Sequence, residues 1–191
     1  MRISVALLAL LALSGCLSFG SKPPPFLLNL TADQQIAAGA SRSAATGQTI
    51  TINLPEVPQK LATMRLAVTT GPTTVAYFPD AMWADAPAAL FRELVSETIA
   101  ARTGRIVLDP GQYTSDPGVI VTGQLQEFGY ESLTRQVIIR YDAAITSNGS
   151  VRTRRFEARE PVAVEETQYL SQALNRAANR VASEVSDWVT G

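Results

Sequence analysis

The sequence predicts a single α+β domain, in which a mainly antiparallel sheet is packed by two amphipathic helices. Two observations carry the prediction. Residues 119–164 read as three long strands separated by tight turns, and two segments beginning near residues 85 and 167 repeat their apolar residues at spacings of three and four. The order of strands, helix, strands and helix is typical of this fold class. A chain of 191 residues has room for one such domain with a substantial core.

Four short segments ahead of the first helix are predicted strands, because they are apolar or β-branched and proline- or glycine-containing turns separate several of them. They are residues 26–30, 49–54, 64–70 and 73–78. The first helix is expected to follow Asp85 as N-cap, to carry Pro87 in its first turn and to end near Gly104. Its apolar stripe is expected to pack on the sheet rather than to line a ligand site.

The second half of the chain is expected to form an antiparallel meander and a final helix. The strands are residues 119–130, 135–146 and 151–164, and Asn148-Gly149 between the last two favours a type I′ hairpin turn. Apolar and polar residues alternate along the middle strand, so one of its faces is buried. From Thr167 onward, one helical stripe holds Leu170, Leu174, Ala177, Val181, Val185 and Trp188.

The first residues have the features of a bacterial lipoprotein signal. One arginine precedes an apolar run that is too short to span a bilayer, and Leu13, Ser14 and Gly15 then lead into Cys16 as a lipobox does. We expect residues 1–15 to be a signal peptide, residues 16–25 to be a lipidated Cys16 with a flexible Pro-rich tether, and residues 26–191 to be the domain. The alternative is a conventional signal peptide cleaved near Gly20.

The composition excludes several kinds of chemistry. The chain has no histidine, one cysteine and two lysines, which rules out His-dependent catalytic triads, disulfides within the chain and most zinc or iron sites. A net charge of −1 lacks the basic surplus that binds nucleic acid. Most of the acidic residues are scattered or lie beside proline and glycine, where Asp commonly shapes turns. We therefore expect no enzyme activity, cofactor, metal or nucleic-acid partner.

Two stretches are candidate partner surfaces. The segment from residue 135 to residue 159 contains six arginines and only two acidic residues, Asp142 and Glu157. Within it, Arg152, Arg154 and Arg155 are the candidates for docking an acidic partner or lipid headgroups. A solvated strand face is the competing interpretation. The second stretch contains Tyr77, Phe78 and Trp83, which suit a protein interface if they are exposed; the more common role of Trp83 is to staple the beginning of the helix.

Several of these features together resemble the ABC-type transport auxiliary lipoprotein family, which includes the paraquat-inducible protein C lipoproteins. The resemblance rests on the order and spacing of the lipobox, Phe26-Leu27-Leu28-Asn29-Leu30, Leu66-Ala67-Val68, Trp83-Ala84 ahead of the first helix, the Val119 to Tyr130 strand and the Ser171 to Leu174 helix. Phe26 stands where the family usually has a tyrosine at the start of the first strand.

The resemblance implies an outer-membrane lipoprotein on the periplasmic face of a Gram-negative bacterium. Leu17 in place of an aspartate after Cys16 favours that destination. Such a protein would be a nonenzymatic subunit that works with an inner-membrane ABC-type transporter and a periplasmic MCE-domain protein in moving lipids or hydrophobic solutes, and it would be able to form a homo-oligomer. The alternatives are a lipoprotein that binds lipid by itself and, third, an envelope hydrolase, for which no residue is an obvious catalyst.

Replacing the anchor residue tests the signal assignment. Cys16→Ala removes the thiol that would be acylated, so the protein should be mislocalised or released from the membrane, because several acyl chains are needed for stable anchoring. Membrane fractionation measures the result. Normal outer-membrane fractionation of the variant would contradict the lipobox assignment.

Overall fold

A sheet of seven strands carries two helices in the computed structural model, which describes residues 26–45, 47–112, 118–147 and 149–191. The strands are β1 (Ile50–Ile52), β2 (Arg65–Gly71), β3 (Thr74–Met82), β4 (Val107–Leu108), β5 (Val119–Glu131), β6 (Gln136–Ser147) and β7 (Ser150–Pro161). The helices are α1 (Pro87–Thr103) and α2 (Thr167–Thr190), and Gln59–Leu61 forms a 3₁₀ turn. The predicted fold class is confirmed.

Strand β5 is the spine of the sheet. Along one side it pairs with β6 in antiparallel fashion over almost its whole length. Its other side is shared by two shorter strands, both parallel to it: β1 pairs with its first residues and β2 with its last. The sheet then extends through β4 beside β1, β3 beside β2, and β7 beside β6.

The meander of β5, β6 and β7 is confirmed, and the three parallel pairings make the sheet mixed. The chain after β1 stays beside β5, where the Asn53 N–H donates to the Val121 carbonyl and the Glu56 N–H donates to the Gly123 carbonyl. Glu56 also bridges to Gln124. This stretch fills the gap between β1 and β2 and satisfies backbone groups of β5 that would otherwise lack partners.

Aromatic rings hold the sheet to the helices. Phe91 of α1 packs edge-on against Tyr141 at a centroid distance of 5.1 Å and against Phe128 at 6.4 Å. On the other side of this cluster Trp83 lies 4.8 Å from Phe128. Such pairs add specific geometry to the burial of large apolar surfaces. The predicted stripes of both helices are buried here, except that Trp188 is only partly buried.

The ends of α1 differ in part from the prediction. The N-cap residue is Ala86, and the Asp85 carboxylate accepts a hydrogen bond from the Ala86 N–H at 2.6 Å instead of capping the first turn. Proline at the first helical position accounts for the shift, because Pro87 suits N1 and places the cap one residue before itself. The C-terminus is as predicted: Gly104 adopts a φ of 72°, which favours glycine.

Residues 28–42 form a strap across the helices rather than a full strand. Of the predicted strand 26–30, only Leu28 pairs, through a parallel bridge to Trp83. Further along the strap, the amide of Asn179 on α2 accepts from the Asp33 N–H and donates to the Thr31 carbonyl, both at 2.9 Å. The Arg42 guanidinium donates to the Ala100 carbonyl of α1 at 2.7 Å. Hydrogen bonds to side-chain and backbone groups of the helices thus take the place of strand pairing.

The remaining predicted strands are present with shifted ends. The segment 49–54 contracts to β1, 73–78 extends to Met82, and 151–164 ends at Pro161. The sequence prediction did not include β4 or the 3₁₀ turn. Asn148 of the predicted type I′ turn lies outside the described residues, while its neighbour Gly149 has a positive φ of 76°. In the described part of the chain, neither helix has the combination of length and apolarity that crossing a bilayer requires.

A glycine on β5 tests the shared edge. A Cβ added at Gly129 would lie 2.3 Å from the Ala67 carbonyl oxygen of β2, far inside contact distance. Gly129→Ala should therefore push β2 away and lower the free energy of unfolding by about 2 kcal/mol or more. Urea denaturation measures the change.

The matched control is Gly111→Ala, because an added Cβ there meets no atom within 4 Å. Its effect on the free energy of unfolding should stay within about 0.5 kcal/mol. Equal stabilities of the two variants would show that the close approach of β2 to β5 is not a constraint on the fold.

Candidate functional site

The sheet face opposite the helices carries a row of ion pairs, here called the charge lattice. Arg140 on β6 binds Glu157 on β7 at 2.6 Å, and Arg159 binds the other oxygen of Glu157 at 2.8 Å. Arg159 also reaches Glu131 on β5 at 3.1 Å, and Arg140 lies 4.0 Å from Glu127. Strand alternation places these side chains on one face, and cross-strand pairing brings opposite charges together.

Two further pairs complete the charge lattice. Arg155 on β7 binds Asp142 on β6 with both nitrogens of its fork, at 2.6 and 2.7 Å. Lys60, which follows the proline turn, binds Glu127 at 2.5 Å. Bidentate arginine–carboxylate geometry is the stronger form of such pairs. Arg155 is therefore paired within the chain, although 62% of its side chain remains exposed, and its predicted role in docking a partner stays a prediction.

Hydrogen bonds in the charge lattice lower the pKa of three carboxyl groups. The Arg155 fork lowers the pKa of Asp142, and the Thr134 hydroxyl together with Arg159 lowers that of Glu131. Burial raises the pKa of Glu157, but hydrogen bonds from Arg159 and Arg140 outweigh it and the net pKa is lowered. All three groups are therefore ionised at neutral pH, which suits ion pairing and not the role of a general acid.

The positive surplus of the hairpin is concentrated at Arg152 and Arg154. Both are exposed and lie on the helix side of β7, where Arg152 stands 5.6 Å from the Trp188 ring and Arg154 stands 4.9 Å from the Phe156 ring. Among the described residues, no carboxylate lies within ion-pair distance of either guanidinium. These two arginines form a cationic pair held on aromatic rings at the free edge of β7.

The second predicted surface is divided by burial. Trp83 is 1% exposed and packs inside the core, so it cannot serve as the surface contact that was predicted for it. Its bridge to Leu28 and its contact with Phe128 account for the burial. Tyr77 and Phe78 are half-buried on β3, and the Tyr77 hydroxyl donates to the Lys60 carbonyl at 3.4 Å.

The structure does not bring the two predicted surfaces together. Arg152 and Arg154 lie beside the C-terminal part of α2, while Tyr77 and Phe78 lie on β3 at the opposite side of the sheet. Leu13, Ser14, Gly15 and Cys16 lie outside the described residues. Sequence reasoning missed Arg65, whose guanidinium stands 4.5 Å over the Tyr77 ring. The sequence did contain a signal for it, because Arg65 shortly precedes the run from Thr69 to Phe78, which has no charged residue.

Two cavities at the surface have charged side chains in their walls. One of about 590 Å³ is lined by residues that include Gln34, Arg102, Arg105 and Asp187, and another of about 420 Å³ by a set that includes Glu93, Glu97 and Asp109. Acyl chains favour pockets with predominantly apolar walls. Within the described ranges, no group of three or more His, Cys, Asp or Glu side chains could hold a metal ion.

Comparison with known proteins assigns the chain to a family. The family model described as "ABC-type transport auxiliary lipoprotein component" matches residues 29–186, which spans the strap after Leu28, the whole sheet and nearly all of α2. The chain belongs to this family. The resemblance inferred from the sequence is thereby confirmed. A search of curated proteins finds no match.

Solved structures share the fold at low sequence identity. A protein from Xanthomonas campestris, assigned to a domain family of unknown function, is 15% identical, with a TM-score of 0.71 over 85% of this chain and 93% of that one. An uncharacterized protein is 11% identical, with a TM-score of 0.67 over 76% of this chain and 94% of that one. Identities this low establish a common fold only.

Acid titration tests the charge lattice. A carboxyl group whose pKa is lowered by folding stabilises the protein above its unfolded pKa and loses that contribution as the pH falls. The free energy of unfolding should therefore decline as the pH drops below about 4.5, the ordinary value for Glu131 and Glu157. Asp142→Asn should make this decline less steep. Urea denaturation at a series of pH values measures it.

Glu166→Gln is the control for loss of one negative charge, because Glu166 is exposed and outside the charge lattice. Between about pH 5 and about pH 3, the range in which carboxyl groups titrate, its free energy of unfolding should fall as steeply as that of the wild type. An equally steep fall for Asp142→Asn would refute a stabilising role for the Arg155–Asp142 pair.

Proposed function

We propose that this chain is a nonenzymatic, lipid-anchored subunit that docks a periplasmic MCE-domain component of an ABC-type transport system at the outer membrane. The observation that carries the proposal is the family match over residues 29–186, which covers nearly all of the folded domain. The family is one of auxiliary lipoproteins of ABC-type transport, so the proposal starts from an auxiliary role in such transport. The proposal goes beyond the family match in three respects, which are the MCE partner, the lipid cargo and the location at the outer membrane.

The surface chemistry supports a contact role over a catalytic one. The carboxylates of the charge lattice are bound to arginines or Lys60, and the described acidic residues form no metal-binding cluster. Arg152 and Arg154 are the cations of the hairpin that have no carboxylate partner within the described chain. An unpaired, exposed arginine pair suits recognition of an acidic partner surface and steers its approach.

The same observations favour docking over lipid carriage by the chain alone. The cavities of about 590 and 420 Å³ contain charged side chains in their walls, which are unfavourable surroundings for an acyl chain. Native mass spectrometry of the full lipoprotein separates the two functions. Stoichiometric bound lipid in the absence of any partner would favour the stand-alone lipid-binding lipoprotein instead.

The position of the anchor supports an address close to a membrane. With Cys16 lipidated, the nine residues from Leu17 to Pro25 reach at most about 30 Å at ~3.3 Å per residue. The domain would stay near the bilayer and receive a partner that spans the periplasm. Several acyl chains on one cysteine suffice for stable retention at the membrane.

Charge reversal tests the docking surface. Arg152→Glu combined with Arg154→Glu should leave the fold intact, because both side chains are exposed, and should lower capture of the partner about tenfold or more. The readout is photo-crosslinking in cells, with the crosslinker beside the arginine pair at Ser150. Circular dichroism confirms that the variant is folded.

Thr153→Glu is the matched control, because it adds negative charge to the same strand between the two arginines but on its other face. Partner capture by this variant should stay near that of the wild type. Recovery of no MCE-domain protein from any surface of the wild-type chain would overturn the proposed function.

A further inference from the structure

The outer edge of β3 differs from the other free edges of the sheet. Within the described residues, β3, β4 and β7 each pair with a neighbour on one side only. β4 is two residues long, and β7 carries charged residues from Arg152 to Glu160. Short or charged edges resist pairing with another chain. The run from Thr69 to Phe78 has no charge at all, so the first part of β3, ahead of Pro79 and Asp80, lacks the protection that the other described edges have.

The open part of β3 is also exposed and has defined ends. Residues 72–76 are exposed, and Val75 keeps 46% of its surface accessible. Pro72 lies in the turn before the strand, and at the other end Asp80, with a φ of 53°, lies in a bulge that interrupts pairing with β2. Between these points Thr74–Phe78 offers five residues of unpaired edge, which accept a strand of about 17 Å.

The chain covers the same edge on the far side of the bulge. The Leu28 N–H donates to the Met82 carbonyl at 2.7 Å, and the Ala84 N–H donates to the Leu28 carbonyl at 2.8 Å. Trp83 between them donates instead to the Met64 carbonyl, towards β2. Leu28 therefore lies on the outer side, and strand addition already occurs on this edge. The strap covers it around Trp83 and leaves Thr74–Phe78 uncovered.

Arg65 gives the open edge a charge preference. Its guanidinium lies over the ring of Tyr77, and no carboxylate of the described chain is within ion-pair distance of it. A cation beside the uncharged stretch Thr74–Phe78 favours an added segment that is uncharged along its length and has one acidic side chain near Tyr77. A second copy of this chain fits less well, because its own Thr74–Phe78 has no acidic side chain to pair with Arg65 and it would bring a second Arg65 to the edge.

We propose that Thr74–Phe78 binds an extended, uncharged segment of the periplasmic transport component as an added β-strand, with one acidic side chain of that segment paired to Arg65. Main-chain hydrogen bonds along an open edge supply affinity in this mode, and the flanking side chains supply selectivity. The proposal rests on the proposed function, since it names a second surface, besides the arginine pair on β7, by which the auxiliary subunit would hold its partner.

Crosslinking from β3 in cells tests the proposal on the full lipoprotein. A photo-crosslinker at Tyr77 should capture a component of the transport system, and mass spectrometry should locate the adduct in an extended segment containing an acidic residue. Val75→Lys should lower the yield of that adduct about tenfold, because a lysine on an edge strand blocks pairing. Val151→Lys is the matched control: it places the same change at an exposed valine on β7, and the yield should not change.

Arg65→Glu tests the charge preference separately. It should lower the same adduct about tenfold, and replacing the acidic residue of the captured segment by lysine should restore the yield. Hydrogen exchange on the purified complex provides a second measurement that depends on the backbone. The amides of β3 that face outward between Thr74 and Phe78 should exchange at least tenfold more slowly in the complex, as paired strand amides do.

The outcomes separate the two proposals. Capture of the transport component from the Arg152 surface but not from β3, or capture without amide protection in β3, would overturn strand addition and leave the proposed function in place. An adduct between two copies of this chain at Tyr77 would overturn the stated occupant. Absence of any transport component from both surfaces would overturn the proposed function together with this inference.

Discussion

The shared edge of β5 is the constraint on which the rest of the structure depends. One long strand has β6 on one side and, on the other, β1 and β2 placed end to end with Glu56 bridging between them. β6 and β2 each approach β5 closely. An added Cβ at Gly123 would lie 2.4 Å from the Asp142 carbonyl oxygen, and one at Gly129 would lie against the Ala67 carbonyl oxygen. Because β2 carries β3 and β1 carries β4, the position of every strand on that side follows from β5.

The two faces of the sheet differ in what covers them. One face buries Phe128 and Tyr141 under α1, and burial raises the pKa of the Tyr141 hydroxyl above its ordinary value. The other face is not covered by a helix and is occupied by the charge lattice, whose alternating signs satisfy one another across β5, β6 and β7. Exposed pairs of this kind contribute modestly to stability. Their larger effect is to make the uncovered face polar, which leaves the edges as the places for contact.

What the sequence could predict follows the distance over which each interaction acts. The meander and both helices were predictable, because turns and periodic apolar positions are local signals. The parallel pairings of β1 and β2 with β5 join segments more than 50 residues apart in the sequence. At roughly such separations, local sequence patterns do not indicate which strands pair. The contact residues show the same division. The surplus of arginines was visible, but only the cross-strand register shows that Arg155 is bound to Asp142 while Arg152 and Arg154 are not.

The strap has a mechanical consequence. The chain before Phe26 enters the domain at Leu28, whose two backbone hydrogen bonds tie it to Met82 and Ala84, and it then crosses both helices through Asn179 and Arg42. Tension applied to the residues before Phe26 would load the Leu28 bridge first, and only its failure would pass the force to α2. The bridge lies beside the bulge that ends the open edge of β3. A pulling force from the N-terminal side would therefore act at the end of the strand segment to which we propose that the partner binds.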